Sequence, residues 1–331
     1  MSSRAENIAA ATKALHGVSR IRPAEIVFWL AAVAAFFFLP DQYLLLNEVM
    51  ITGLFALSLD LVLGYGGIVS LGHAAFFGFG CYVAGLLTKY GVADPLLGLV
   101  IVAVMTGLLG LLTSFLVLRG SDLTRIMVTL SVGVLLSEIG NRLAWLTGGA
   151  DGLQGVAPDL LLGRWEFDIF GKVAYAYTLA VTFVLFVIAR RFVFSPFGWS
   201  VRAVKENALR TSAIGIPVNR RLIVVYSLAA AIAGIAGALL AQTTQFVSLD
   251  VLAFHRSADL LLILIIGGTG YLYGGLVGAL LFKLVQDAIA NLTPEYWEFW
   301  IGLILVSIVM IGRERIVGLP AFLLKRLRGV A

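Results

Sequence analysis

Side chains able to do chemistry are few in this sequence and lie far apart. The three histidines, His16, His73 and His255, fall in unrelated segments. A metal centre or a nucleophile–base pair needs several such groups at short spacing. The single cysteine, Cys81, lies in an apolar run and has no partner for an intrachain disulfide. The sequence therefore predicts no catalytic residue, no metal and no cofactor held by this chain, and His73 is expected to be a hydrogen-bonded structural residue.

Four acidic residues lie in or near apolar runs: Asp60, Glu138, Asp259 and Asp287. An ion-coupled secondary transporter would use a series of buried acids or histidines, and no such series is visible. We expect Asp60 and Glu138 to pair with Arg142 or to cap helix ends.

A first glycine-rich segment runs from Leu63 to Gly78 and interrupts an apolar stretch. Each glycine costs a helix about 1 kcal/mol relative to alanine, so a break is predicted. Non-helical backbone near a membrane needs protein or water around it, so the segment either borders an aqueous path or is a tight turn in which Ser70 caps the next helix. The candidate residues are Gly64, Gly66, Gly67, Ser70, Gly72 and His73.

Two further segments attract attention. Thr147–Gly155 is glycine-rich with one acid, and it lacks the Gly-Lys-Ser/Thr of a phosphate loop. It is predicted to be a turn on the outer face, either purely structural or in contact with a soluble partner, through Gly148, Gly149, Asp151 and Gly152. The segment 198–216 is predicted to be one short amphipathic helix that ends at Gly215. It is expected either to lie on the membrane surface or to contact a cytoplasmic partner, which the glycines at both ends and the acid among the cations favour. Its apolar side is formed by Val201, Val204, Ala208 and Leu209, and its polar side by Arg202, Lys205, Glu206 and Arg210.

The elements that carry these segments are membrane-spanning helices. Apolar residues make up 60% of the chain and charged residues 13%, with a mean hydropathy of +0.99. A soluble domain has about 25% charged residues. The apolar runs approach the ~20 residues that a spanning helix needs and lack the alternation of a β-barrel. The basic residues lie between these runs, which does not favour nucleic-acid binding.

The predicted fold class is an all-α polytopic membrane protein of about ten helices, some short or broken by glycine. The predicted spans are 24–39, 47–63, 73–89, 96–118, 125–146, 172–190, 222–244, 258–268, 274–290 and 297–311. Small residues at Ala229, Ala233, Gly234, Gly237 and Ala241 predict close helix packing.

Lys and Arg residues set the orientation, because cytoplasmic loops are enriched in them. The segment 190–221 has seven such residues against one acid, and the tail after 312 is also basic. Both are predicted to be cytoplasmic, as is the loop between Arg119 and Arg125. The loops 40–47, 147–171 and 245–256 are predicted to be outside, which gives an N-in, C-in topology. The chain is predicted to consist of a cytoplasmic leader (1–23), one transmembrane domain (24–319) with a cytoplasmic segment at 195–221, and a basic cytoplasmic tail (320–331). The leader is expected to be retained, because no signal-peptide cleavage site follows the first apolar run.

Four motifs in this order resemble those of a known family, the LivM-like permeases of the branched-chain amino-acid ABC importers. Leu59–Gly85 resembles its Leu-x-Leu-x-x-Gly-Tyr-x-Gly-x-x-Ser-Leu-Gly-His-Ala-Ala-Phe run, and Thr147–Leu153 its outer turn. The likeness extends from about residue 45 to 319. The cytoplasmic coupling motif is matched by Arg202, Ala203, Glu206, Asn207, Gly215 and Ile216, and the Gly-Gly-x-Gly-x-x-x-Gly signature by Gly267, Gly268, Gly270 and Gly274.

The resemblance implies a permease in the bacterial inner membrane that forms half of a translocation path. The implied partners are a second, LivH-like permease in a heterodimer, two LivG/LivF-like ATPase subunits that bind ATP and Mg, and a periplasmic substrate-binding protein. The coupling residues would contact an ATPase, the two glycine segments would border the path, and the outer turn would meet the binding protein. Nucleic acid is not among the partners that the resemblance implies.

The substrate stays open at this stage. A branched-chain or other hydrophobic amino acid is the expected substrate, and urea, short amides and aromatic carboxylates are the alternatives. Two other classes of protein are also considered: an ion-coupled secondary transporter and a membrane enzyme. Two departures from the family pattern are Thr211-Ser212, which we expect to alter the surface of the coupling helix, and Tyr271-Leu272-Tyr273, which could bear on substrate preference.

Overall fold

The computed structural model describes residues 23–168, 170–296, 299–304 and 306, and the regular elements of this part of the chain are helices. The leader 1–22, the tail 320–331 and much of the predicted span 297–311 lie outside the described residues. Eleven helices are labelled here in chain order: α1 Pro23–Phe38, α2 Tyr43–Asp60, α3 Ala74–Lys89, α4 Pro95–Val117, α5 Asp122–Arg142, α6 Lys172–Val193, α7 Pro196–Glu206, α8 Ala208–Ala213, α9 Val218–Thr244, α10 Phe254–Gly267 and α11 Leu272–Leu292.

Single turns supplement these helices. Three are 3-10 turns, at Pro40–Gln42, Gly149–Asp151 and Leu249–Leu252, and one is a short α-helical turn at Ala144–Thr147. In the described part of the chain, β pairing is limited to two isolated bridges, Leu153 with Val247 and Leu161 with Trp165. The prediction of an all-α polytopic membrane protein is confirmed at this level.

Six helical segments of the described chain are long and apolar enough to cross a membrane: Pro40–Tyr65, Pro95–Val117, Asp122–Arg142, Lys172–Val193, Val218–Thr244 and Leu272–Leu292. They coincide with six of the predicted spans. The predicted spans 24–39 and 73–89 are helices of 16 residues each, and 258–268 overlaps α10, which has 14 residues and ends at Gly267. At 1.5 Å per residue, 14 residues reach about 21 Å, short of the ~30 Å hydrocarbon core.

Helix α9 is the centre of the bundle and packs against α4, α3 and α2. Small residues make this possible, as their positions predict. Gly234 lies directly against Gly80 of α3, and Gly237 lies on the carbonyl of Phe77, where a methyl group would collide with backbone. Helix α5 is the opposite case, because only 17% of its apolar window is buried, compared with 72% for α9.

The connecting loops gather at two ends of the bundle. At one end the segment 147–171 meets two other loops predicted to be external, through the Leu153–Val247 bridge and the contact of Gly171 with Leu44. It also meets the loop before α4, where Asp159 N donates to the Ala93 carbonyl at 2.9 Å. At the other end, Lys205 of α7 bonds the Gly64 carbonyl in the glycine segment after α2, and Asp60 at the end of α2 bonds Gly270 in the glycine segment after α10. The first end therefore joins loops that were predicted to be external, and α7 at the second end belongs to the segment predicted to be cytoplasmic.

Candidate functional site

The break after α2 begins with a change of helical hydrogen bonding. The helix continues past Asp60 as a π-helical turn over Leu61–Tyr65, and Gly67 then adopts a left-handed φ of +73°. Helix α3 begins only at Ala74. Gly64 has no room for a side chain, because a Cβ there would collide with the Asp60 carboxylate and lie 2.5 Å from the Gly270 nitrogen. Gly66 is tight for a local reason, since its Cβ would lie 2.7 Å from the Val62 carbonyl oxygen.

The polar residues of this break are enclosed by protein. Ser70 and His73 are both fully buried. His73 Nε2 lies 2.9 Å from Ser58 Oγ, and its ring stacks on Phe55 at 5.8 Å. His73 is therefore a hydrogen-bonded residue of the packed interior, as expected.

Ser70 does not cap α3. The first amide of that helix, Ala74 N, instead donates to Ser257 Oγ of α10 at 2.9 Å. The cap comes from a residue distant in sequence, which no local pattern indicates. A role for Ser70 and His73 in lining a path remains a prediction, and it requires this segment to move.

Gly72 lies on the carbonyl of Thr129 in α5, too close for any side chain. A cleft of about 170 Å³ opens beside it, between α5 and the beginning of α3. Its polar lining comes from Ser137, Glu138 and Ser257.

The second glycine segment connects α10 to α11. Gly268 and Gly270 have φ values of +99° and +79°, and Gly267 and Gly274 face each other so closely that side chains would strike backbone carbonyls. Such a turn requires glycine. The amide of Gly270 donates to Asp60 Oδ1 at 2.7 Å. The two glycine segments are therefore in direct contact.

This contact corrects the expectation for Asp60. Arg142 pairs with Glu138 at 2.7 Å, as predicted, but Asp60 is bound to the turn before α11. Sequence reasoning missed this role because the partner lies 210 residues away. The available signal was a carboxylate placed in an apolar run, which is costly and commonly functional.

The segment predicted to be cytoplasmic forms two helices, where one was predicted. Asn207 is extended (φ −160°, ψ 97°), which ends α7, and its side chain accepts the Arg210 amide at 2.8 Å, which caps α8. Asn is a good N-cap, so the interruption is locally encoded. The end predicted at Gly215 is correct, with φ +88°, and Ile216 N closes the turn onto the Thr211 carbonyl.

The break changes which side chains face outward. Val201 and Val204 are buried as predicted, but Leu209 is 84% exposed and Ala208 is exposed too, because α8 does not continue the line of α7. Ile214 is 70% exposed, and Glu206 is also exposed.

Arg202 faces the bundle. Its guanidinium lies 4.9 Å from the Tyr65 ring centre and 4.6 Å from that of Trp199. It is therefore less available to an external partner than Glu206. Lys205 also reaches the bundle, where Nζ donates to the Gly64 carbonyl at 2.6 Å.

Thr211 was expected to alter the surface of the coupling helix, but its side chain is buried. Its hydroxyl lies 2.9 Å from the Ala203 carbonyl and 2.8 Å from that of Asn207, which ties α8 to α7. Of the aromatic pair in the second glycine segment, Tyr273 packs at 4.6 Å from Phe186, whereas Tyr271 is exposed.

The turn at 147–153, at the other end of the bundle, is stabilised by its own hydrogen bonds and by contacts with residues 246–247. Gly148, Gly149 and Gly152 all have positive φ, and Thr147 Oγ1 accepts the Gly149 amide at 3.2 Å. Gly152 lies against Phe246, and the following Leu153 forms the bridge to Val247. Asp151 stays exposed. Across the described residues, no group of three His, Cys, Asp or Glu side chains is placed to hold a metal ion.

Comparison with known proteins identifies the family. Residues 43–309 match the family model described as the permease component of branched-chain amino acid transport systems. The chain belongs to this family. Branched-chain amino acid permeases are membrane subunits of ABC transporters, so the predicted resemblance is confirmed.

Curated relatives agree with the family. The chain is 27% identical over 288 residues to the high-affinity branched-chain amino acid permease protein LivM of Escherichia coli K12, covering 80% of this chain and 67% of that one. It is 23% identical over 317 residues to LivH of Salmonella typhimurium, covering 85% and 98%. It is 26% identical over 247 residues to the autoinducer 2 permease LsrC of Escherichia coli, covering 70% and 67%. No solved structure matches the chain.

Proposed function

We propose that this chain is a permease subunit of a bacterial ABC importer, that it forms half of a path for branched-chain or other hydrophobic amino acids, and that ATP hydrolysis on partner subunits drives it. It spans the inner membrane with both termini inside, and its own residues hold neither ATP nor Mg. The segment 1–23 and the tail 320–331 are cytoplasmic in this proposal, and the chain is not itself an enzyme.

The observation that supports it best is the exposed surface of α7 and α8. Leu209 and Ile214 are among the more exposed large apolar side chains of the chain, and they lie beside Glu206 and Arg210 in a segment rich in Lys and Arg. Lipid-facing apolar residues belong on long apolar helices, which α7 and α8 are not. Apolar side chains ringed by charge are typical of a protein interface. The ATPase subunit is the occupant that we propose.

Helix α5 supports a second permease as partner. It is the least buried of the six long apolar helices described, so much of its surface is free to face lipid or another protein. Two charged side chains, Glu138 and Arg142, are exposed on this surface. Charged groups within a membrane usually face protein or a water-filled path. We propose that α5 and the cleft beside Gly72 face the LivH-like permease across the translocation path.

The outer turn completes the set of contacts. Asp151 is exposed on a turn fixed by three glycines and docked on residues 246–247. A rigid loop of this kind suits recognition of a soluble protein, and we propose that it meets the periplasmic binding protein. Substrate selection would then rest mainly with that protein, because the described chain has no cluster of charged groups facing the cleft other than the Glu138–Arg142 pair.

Copurification tests this assignment. The chain is expressed with a LivH-like permease and both ATPase subunits and purified through a tag on this chain. The expected result is a stable complex with vanadate-sensitive ATP hydrolysis. The double variant Leu209→Glu/Ile214→Glu should lose the ATPase subunits, because two carboxylates would be buried in the interface. Leu162→Glu, on an exposed leucine at the other end of the bundle, should retain them. ATPase subunits retained by the double variant would contradict the proposed interface.

A further inference from the structure

Three segments that are distant in sequence meet at one residue, Gly64. Its carbonyl accepts the ammonium of Lys205 from α7 at 2.6 Å. Its Cα lies against the Asp60 carboxylate, whose Oδ1 accepts the Gly270 amide at 2.7 Å. The aliphatic stem of Lys205 lies across Gly67, where a Cβ would come within 2.9 Å of the lysine Cγ. Helix α7, the end of α2 and the turn before α11 are thus connected through a single backbone position.

The contact between Lys205 and Gly64 has a clear electrostatic basis. The carbonyl groups in the last turn of a helix have no partner within that helix and carry its negative dipole end. A lysine that binds such a carbonyl is a favourable C-terminal cap. Here the cap comes from a cytoplasmic helix and not from α2 itself, so movement of α7 acts directly on the end of α2.

Asp60 extends this connection to the second glycine segment. Its side chain is fully buried, and Oδ2 has no hydrogen-bond partner among the described residues. A buried carboxylate with one oxygen unsatisfied is costly, so stability is a poor reason for its presence. Its bond to Gly270 N nevertheless makes the turn before α11 follow the end of α2.

We propose that Lys205 and Asp60 are positioning residues that transmit displacement of the α7–α8 segment to both glycine segments. Lys205 moves the end of α2 through the Gly64 carbonyl, and Asp60 moves the Gly268–Tyr271 turn through the Gly270 amide. The enclosed residues Ser70 and His73 follow Gly64 in the same break, so this displacement would open the segment that now encloses them. The inference rests on the proposed function, because it requires ATPase subunits to move α7 and α8.

Distance measurements by pulsed electron paramagnetic resonance test it. Spin labels are placed on two exposed residues of this end of the bundle, Ser212 in α8 and Thr269 in the second glycine turn. Each is measured against a label on exposed Ser121, before α5, in a Cys81→Ala background. The complete complex is compared in lipid nanodiscs without nucleotide and after trapping with ATP and vanadate. We expect both distances to change in the complex without a further substitution.

The decisive variant is Lys205→Met, which keeps the stem and removes the ammonium. The Ser212 distance should still change, whereas the change at Thr269 should fall to less than half. Lys205→Arg should restore it, because a guanidinium still donates to the carbonyl. Lys283→Met is the matched control, since the ammonium of Lys283 is also bound, to Glu48 at 3.0 Å, and this substitution should leave both changes intact.

Asp60 gives a second, independent arm. Asp60→Asn keeps an oxygen for the Gly270 amide and should preserve the change at Thr269, whereas Asp60→Leu should abolish it. If Asp60→Leu yields no complex, the Lys205 series decides. An unaltered change at Thr269 in Lys205→Met would overturn the inference while leaving the proposed function standing. Absence of any change at Ser212 in a complex that hydrolyses ATP would instead contradict the coupling role of α7 and α8.

Discussion

At the scale of single residues, Gly64 is constrained by two glycine segments of the candidate site at once. A hydrogen atom is all that fits between its Cα, the Asp60 carboxylate and the Gly270 nitrogen. The Asp60 carboxylate occupies the space where a side chain of residue 64 would lie, and the Lys205 ammonium donates to the Gly64 carbonyl. The glycine is therefore required by its neighbours and not by its own backbone angles.

The first prediction follows from that space. Gly64→Ala should destabilise the protein by about 1–3 kcal/mol, the usual cost of an added methyl group in a packed site. Thermal unfolding in detergent, followed by fluorescence-detected size-exclusion chromatography, measures it as a lowered midpoint. Gly107→Ala is the control, because a Cβ there meets only ordinary contacts at 3.5 Å or more; it should be neutral or stabilising by up to ~1 kcal/mol. Equal midpoints for the two variants would show that Gly64 is not constrained in this way.

At the scale of elements, the α7–α8 pair is the part of the site that the sequence predicted least well. Apolar and charged residues recur at helical spacing from 198 to 216, which predicts one helix, and this spacing correctly identifies Val201 and Val204 as buried. The capping preference of Asn207 overrides that periodicity and redirects α8. Leu209 is thereby turned outward, although a single helix would bury it.

The second prediction concerns what holds the two helices together. Thr211→Val keeps the shape of the side chain and removes the hydroxyl that bonds the Ala203 and Asn207 carbonyls. The α7–α8 contact should weaken by about 1 kcal/mol, the typical net value of one hydrogen bond. Hydrogen exchange of the amides of 208–213 should accelerate roughly fivefold, since 1.4 kcal/mol corresponds to a factor of ten.

Ser212 supplies the control for this prediction. It is exposed, and its hydroxyl bonds only the nearby Leu209 carbonyl at 2.8 Å. Surface substitutions of this kind usually change stability by less than about 0.5 kcal/mol, so Ser212→Ala should leave the exchange of 208–213 nearly unchanged. Slower or equal exchange in Thr211→Val would contradict the role assigned to the threonine.

At the scale of the whole molecule, hydropathy predicted the long apolar helices, and the motifs predicted the family. Hydropathy identified the six long apolar helices of the described chain, and charge placement assigned to one side the two loops that the Leu153–Val247 bridge joins. They did not predict the Asp60–Gly270 bond or the cap of α3 by Ser257, because both join residues more than 180 positions apart. Contacts of that range depend on how helices are arranged, which neither periodicity nor local preference encodes.

The third prediction concerns orientation. With Cys81→Ala as background, Ser212→Cys should react with a membrane-impermeant maleimide only after the inner membrane is permeabilised, because α8 is proposed to be cytoplasmic. Glu166→Cys, exposed in the loop at the opposite end, should react in intact spheroplasts. The reverse pattern would invert the topology, and labelling of both positions in intact spheroplasts would place the two loops on the same side.

The central claim is that this permease converts ATP hydrolysis by its partners into movement of a substrate across the membrane. Uptake of radiolabelled leucine into proteoliposomes that contain the four-subunit complex tests it most directly. Uptake should require ATP on the side that carries α7 and α8 and the binding protein on the other side, and Leu209→Glu/Ile214→Glu should abolish it. Leucine uptake that persists without ATP and follows an imposed proton or sodium gradient would contradict the account and indicate a secondary transporter.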